Sequence, residues 1–353
     1  MTTVASADTR LSSSARQEVA DLFGPRPWIY WTDFLLSLTV GYASATIYLS
    51  GPFPSSRTVA SLVIAVVALY RVSMFMHEIV HFRRGQMRSF SITWNLLAGV
   101  PMLIPSFMYE SHQDHHNVRE YGTRQDGEYL PLCHTGWSGL VVFLGQVFLQ
   151  PVLVFLRFLL GTPVSALHPR WRQWILQHAS SFVINFRYRR TLPADAPRGW
   201  WLLLEWCCFL RAALIVVMIV LDIFPPTRGL KIYFLACCTL GLNHLRTLGA
   251  HRYTNPGFAV THEEQFHDST NIRGGLLTEL LCPLGLRYHA LHHLLPTLPY
   301  HNLSRAHRRL MEQLPESSAY QDAEYPSFAS VVSRLMRTIR TREGHHAPDA
   351  EGI

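Results

Sequence analysis

Charge is what this sequence has least of. Only 16% of its residues are Asp, Glu, Lys or Arg, against roughly 25% in an average soluble domain. A chain of 353 residues is long enough for two or three soluble domains, but that scarcity argues against such a division. Nucleic-acid motifs are missing as well. The formal net charge of +7 therefore reads as basic loops beside a membrane, and no nucleic acid is expected as a partner. The six cysteines, Cys133, Cys207, Cys208, Cys237, Cys238 and Cys282, include no CxxC spacing. This excludes a ferredoxin-like cluster or a zinc ribbon. Four of them fall as adjacent pairs inside apolar runs and read as buried apolar residues. The first residues are polar and rich in Ser and Ala, without the pattern of a cleavable signal peptide.

Long apolar runs are abundant. Apolar residues make up 48% of the chain, and several runs reach the roughly 20 residues that span a bilayer core. The expected fold is an all-α polytopic membrane protein with four transmembrane helices, at about 28–50, 58–76, 200–224 and 230–248, under a cytoplasmic helical cap. Residues 1–27 read as a polar, loosely ordered segment, 28–315 as the membrane domain, and 316–353 as a cytoplasmic C-terminal segment. Arg83, Arg84 and Arg88 follow the second run, and six arginines lie between 166 and 199; both place those ends in the cytoplasm. Phe328, Val331, Val332, Leu335, Met336 and Ile339 form a helical stripe that either lies on the membrane or packs on the protein.

Three histidine clusters stand beside these runs: His77-Glu-Ile-Val-His81, His112-Gln-Asp-His115-His116 and His289-Ala-Leu-His292-His293. Helical positions three or four apart share a face, so each cluster can aim its imidazoles at one point. Neutral imidazole is a ligand for zinc, copper and iron, and three such clusters predict a metal centre. Ligands of one centre cannot be divided by a bilayer. The apolar stretch 90–108, broken by Gly99, Pro101 and Pro105, is therefore expected to be interfacial or re-entrant, and 137–160 is expected not to cross.

HExxH alone would suggest a zinc peptidase with Glu78 as base, but such a site leaves the other two clusters without a use. Clusters that were mere polar surface would repel one another when protonated. Eight or nine nitrogen donors over-supply one ion and suit two. Iron in such a site, beside lipid, would point to dioxygen chemistry on an unactivated C–H bond. Zinc could take the same donors without redox chemistry, so a non-redox zinc-binding membrane protein stays open as an alternative.

The order HExxH, HxxHH, HxxHH on one side of four spans resembles the membrane fatty-acid desaturase superfamily, in its bacterial branch, over about residues 28–315. The resemblance implies two iron ions (Fe2+/Fe3+) held by His77, His81, His112, His115, His116, His289, His292 and His293. It implies a further ligand at the end of the fourth span, where His251 is the best candidate. His244, seven residues earlier, is either a ligand, a group behind one, or a core histidine. Some relatives have an Asn that coordinates through water where Thr247 stands here, with Asn243 a turn before it. The implied reaction uses O2 as co-substrate to desaturate the acyl chain of a lipid, with a hydroxylase on the same scaffold as the alternative. Electrons would come from a separate donor of ferredoxin or cytochrome b5 type, since His168-Pro169-Arg170 does not match the His-Pro-Gly-Gly of a fused haem domain. The enzyme would be integral to the membrane, the inner membrane in a bacterium, with its site facing the cytoplasm. Asp268 reads either as an orienting partner for a ligand or as a helix cap. His262 and His267 read as surface loop residues, and His134, His168, His178, His301 and His307 as structural.

Overall fold

The computed structural model describes residues 4–346, with side chains from 11 to 342. The described chain is mostly helical and divides into two compact units. The span unit comprises Arg26–Gln113 and Gly145–Asn243; the C-terminal unit comprises Met1–Pro25, Asp114–Leu144 and His244–Ile353.

In the span unit, the helices Pro27–Ser50 and Ser56–His81 form a hairpin. Ser55 caps the second helix: its hydroxyl accepts from the Thr58 amide while the Thr58 hydroxyl accepts from the Ser55 amide. Two donors that a helix start leaves orphaned are thereby paired. Near the turn Tyr48 packs with Leu62, Ala65 and Leu69. Further along, Arg71 holds Asp33 through two bonds of 2.7 and 2.5 Å, and Tyr30 donates to Glu78 at 2.6 Å. Charge inside an apolar hairpin persists when it is paired in this way. Beyond His81 the chain runs through the helix Arg88–Trp94 and folds back at Asn95. The Asn95 side chain donates to the Ser106 hydroxyl and accepts from its amide, both at 2.9 Å. Gly99, Pro101 and Pro105 all fall inside this reversal.

Three described helices are long and apolar enough to cross a membrane: Ser56–His81, Leu132–Leu167 and Arg198–Val220. The most apolar windows of the last two are only 17% and 22% buried, so most of their apolar side chains face outward, as a lipid environment favours. Two of these helices coincide with predicted spans. The predicted spans at 28–50 and 230–248 form the helices Pro27–Ser50 and Pro226–Leu248. Asp33 dilutes the apolar content of the first, and Arg228, Lys231 and Arg246 that of the second. Conversely, 137–160 lies in a helix of full spanning length, kinked at Gly136 (φ 67°) and carrying Pro151.

The C-terminal unit is built on short elements. Asn271–Ile272 pairs in parallel with Glu324–Tyr325. Isolated bridges join His251 to Ser269 and Asn271 to Tyr288, so the segments carrying His251 and His289 are hydrogen-bonded to 269–271. The Thr270 amide donates to the Ala250 carbonyl at 3.1 Å and the Ala290 amide to the Thr270 carbonyl at 2.9 Å. Gly249 is required here, because a Cβ would stand 2.6 Å from the Phe328 ring. In the helix Phe328–His346, Val331, Leu335 and Ile339 are buried; the apolar stripe packs on the protein.

The N-terminal segment departs from the loosely ordered expectation. It forms the helix Val4–Glu18, and Ala15, Val19 and Leu22 are buried. Arg309 donates to the Glu18 carbonyl at 2.9 Å and pairs with Asp21, while Asn302 donates to the Leu22 carbonyl at 2.6 Å. Three small apolar contacts and a few polar ones hold this segment, too sparse a pattern to stand out from its composition.

Candidate metal centre

Among the described residues, four histidines of the C-terminal unit gather at one point. His115, His251, His289 and His293 each bring one ring nitrogen within 4.8 Å of the others. His115 comes from the five-residue helix His112–His116, His289 and His293 from the first and fifth positions of His289–Leu294, and His251 from just beyond Pro226–Leu248. The Nε2–Nε2 separations are 3.1 Å for His115 and His251, 3.0 Å for His251 and His289, and 3.1 Å for His289 and His293.

The opposite ring nitrogens of two members are held from behind. Asp126, buried completely, accepts from His115 Nδ1 and from the Gly122 and Glu128 amides, each at 2.8 Å. The Gln265 side chain donates to the His115 carbonyl at 3.0 Å. Tyr121 donates its one hydroxyl proton to Asp268 at 2.7 Å, so its oxygen accepts from His251 Nδ1 at 2.9 Å. Thr254 steadies Asp268 through its amide (2.8 Å) and hydroxyl (2.6 Å). With their protons on Nδ1, His115 and His251 in their neutral forms both turn bare Nε2 lone pairs inward. Lone pairs 3.1 Å apart repel unless a cation lies between them. Donors about 2.1 Å from one ion and at right angles to each other are about 3.0 Å apart, so this set fits a metal ion.

Burial, helped by the neighbouring imidazoles and Arg246, lowers the pKa of His251 and His289 well below the usual imidazole value, so both stay neutral donors. On His115 burial also opposes charge, but the Asp126 carboxylate outweighs it and raises the pKa; a metal ion there would take the place of the proton on Nε2. Burial and the neighbouring Asp268 push the Tyr121 phenol well up, and it keeps its proton.

The span unit gathers His77, His81 and His112. His77 and His81 lie one turn apart on Ser56–His81, with ring centroids 5.0 Å apart. His112 stands 4.7 Å from the first and 5.1 Å from the second, and each offers a nitrogen within 4.8 Å of the others. Tyr109 stacks on His112 at 4.9 Å with 14° between the rings. Glu78 points its carboxylate at Tyr30 inside the hairpin, which removes the water-facing base a peptidase would need.

His116 and His292 meet at 3.0 Å between Nε2 atoms within the C-terminal unit, and the His116 ring stacks on that of His293 at 4.4 Å. Every candidate ligand thus has a histidine neighbour in its own unit. His244 belongs to neither group; its buried ring stacks on Phe143 at 4.6 Å. His262 and His267 lie on the short helix His262–Asp268, where His267 faces Glu263 at 3.7 Å. Asp126 and Tyr121 escaped the sequence reading. One Asp in a polar loop carries no periodicity, and nothing local ties Tyr121 to a histidine 130 residues away.

A mostly helical chain with outward-facing apolar helices and buried, carboxylate-backed imidazoles defines a membrane metalloenzyme class. The family model for fatty acid desaturases matches residues 54–325, and the chain belongs to that family. It is an oxygen-dependent, membrane-associated oxidoreductase of lipid metabolism. A curated relative, the ceramide hydroxylase of Caulobacter vibrioides (strain NA1000 / CB15N), is 37% identical over 347 residues, which cover 95% of each chain.

Proposed function

We propose that this enzyme is a di-iron oxygenase that hydroxylates a hydrocarbon chain of a ceramide-type membrane lipid. The near full-length similarity to a ceramide hydroxylase carries the choice of reaction and substrate. Nine histidines would hold the two irons. His77, His81 and His112 serve one; His115, His251, His289 and His293 serve the other; His116 and His292 complete the set. Bound iron supplies the redox changes that let dioxygen attack an unactivated C–H bond.

The chain's own residues set the conditions. Asp126 and the Tyr121–Asp268 pair fix two imidazoles in the tautomer that donates through Nε2. Burial of His115, His251 and His289 keeps bulk water from that group. Hydroxylation places one oxygen atom of O2 between carbon and hydrogen, and the other leaves as water with two electrons and two protons from a separate donor of ferredoxin or cytochrome b5 type. The proposed arrangement keeps four spans within a 28–315 membrane domain, between the 1–27 and 316–353 segments. The irons then face the cytoplasm, from the inner membrane in a bacterial cell.

Desaturation is the second reading, favoured by the description of the matching family. It removes two hydrogens from neighbouring carbons and sends both oxygen atoms to water. Expression in a host under 18O2, followed by mass spectrometry of the lipids, separates the two. Hydroxylation predicts lipids carrying one labelled oxygen; unlabelled lipids two hydrogens lighter would replace it with desaturation. Metal analysis of the purified protein should find two irons per chain, and zinc alone would remove the oxygenase reading.

A further inference from the structure

We propose that the span unit carries a second ligand site, an arginine-lined pocket that binds the phosphodiester headgroup of an anionic membrane phospholipid. The cavity measures about 660 Å³, and its lining includes Arg172, Arg189, Arg190 and Arg198 with Gln173 and Gln177. No Asp or Glu is among the lining residues, so no carboxylate opposes an anion there and the four arginines supply donors. Arg–phosphate pairing is the strongest hydrogen bonding such a wall can make.

Two of the arginines are built in. Arg172 pairs with the fully buried Glu205 at 2.5 Å. Arg190, also buried, bonds Glu110 at 2.8 Å and the Phe107 and Ser180 carbonyls at 2.8 and 2.9 Å, and lies 4.3 Å over the Trp201 ring. These contacts hold the guanidinium groups in place before a ligand arrives, which lowers the entropy lost on binding. Arg189 and Arg198 are exposed and supply the charge that a ligand would neutralise. Arg198 also opens the apolar helix Arg198–Val220, whose amino end adds positive potential.

The surroundings select a lipid as the source of the phosphate. The helix Pro169–His178 presents Trp171 and Trp174, 51% and 57% exposed, and Leu167 just before it is 72% exposed. Exposed tryptophans beside the start of a candidate span mark headgroup depth. Leu176 and Leu192 add apolar wall to the same pocket, suited to the glycerol and upper acyl chain. None of the lining residues is a histidine, so this site does not depend on the proposed chemistry.

The test titrates purified full-length protein in neutral detergent with phosphatidylglycerol, phosphatidylcholine or inorganic phosphate, and reads bound lipid by native mass spectrometry. Phosphatidylglycerol should bind in preference to both others. The double variant Arg189→Gln with Arg198→Gln should weaken it by about tenfold per arginine lost. Arg170→Gln with Arg187→Gln removes the same charge outside the lining and should leave affinity unchanged. Equal weakening in that control would reduce the site to general surface charge. Equal binding of inorganic phosphate would make it a free-anion site, and absence of phosphatidylglycerol binding would remove it. If circular dichroism shows the first double variant misfolded, Arg198→Gln alone decides on the same criteria.

Discussion

The two histidine groups use the same donor atoms and are assembled in different ways. In the span unit, His77 and His81 share one helical face, and the helix alone brings them together. In the C-terminal unit, His115 and His251 are 136 positions apart in the chain; bridges among 249–251, 269–271 and 288–290 join the segments of His251, His289 and His293, and Gln265 holds the His115 carbonyl. Support differs too. Behind the span-unit group a tyrosine ring stacks on His112. Behind the other, a carboxylate holds His115 and a tyrosine–carboxylate pair holds His251. A local pair inherits its geometry from the helix, whereas His115 and His251, collected from distant segments, are each fixed by a hydrogen bond from behind.

The largest expected effect comes from removing a ligand. His289→Ala should lose activity to background and retain about one metal per chain instead of two, measured by elemental analysis. His81→Ala should lose activity equally but empty the other group. If either variant keeps both metals, the division into two groups fails.

Asp126→Asn comes next. It keeps the size of the side chain and takes away the charge behind His115, so activity or metal affinity should fall about 10–100-fold, with faster metal release to a chelator. Tyr121→Phe removes the hydroxyl between His251 and Asp268 and should cost about tenfold by the same assays. In the span unit, Tyr109→Leu removes the ring that stacks on His112 and lies 6.3 Å from His77. That stacking is worth about 1 kcal/mol, or roughly fivefold. Equal losses for Asp126→Asn and Tyr109→Leu would erase the contrast in support.

The smallest effect is one of stability. Burial lowers His307 from 6.5 to about 4, against the pull of Glu324. An unfolded chain therefore takes up this proton before the folded one does. The contribution is complete above about 6.5 and is lost as pH falls toward 4, following proton linkage. Thermal melts across that window should decline in the native protein and decline less in His307→Gln; equal slopes would show that another group governs the acid limb.

The fold was partly legible before any coordinates. Helices at 28–50, 58–76, 200–224 and 230–248 follow from runs of apolar residues, since a run of that length has few other ways to satisfy its backbone in lipid. Convergence of the ligands on one face implies that 137–160 does not cross, yet by length and apolar content Leu132–Leu167 is a candidate span. The ordered N-terminal segment leaves no pattern in the sequence, because Ala15 in the helix Val4–Glu18 and Val19 and Leu22 just after it are too few to form a stripe. His244 could not be resolved by spacing, since one histidine on a helical face fits a ligand and a core residue alike; its stacking on Phe143 is a tertiary fact.

What the sequence determined by itself was the chemistry: imidazoles at intervals of three and four, set beside apolar helices, whose periodicity alone puts donors on one face. What only the tertiary structure decided was the state of those donors. Asp126 and Tyr121 choose the nitrogen that carries the proton on His115 and on His251, and the arginines of 172–198 line a pocket. Such contacts join residues with no periodic relation, so their energies depend on where the chain has folded and leave no local trace.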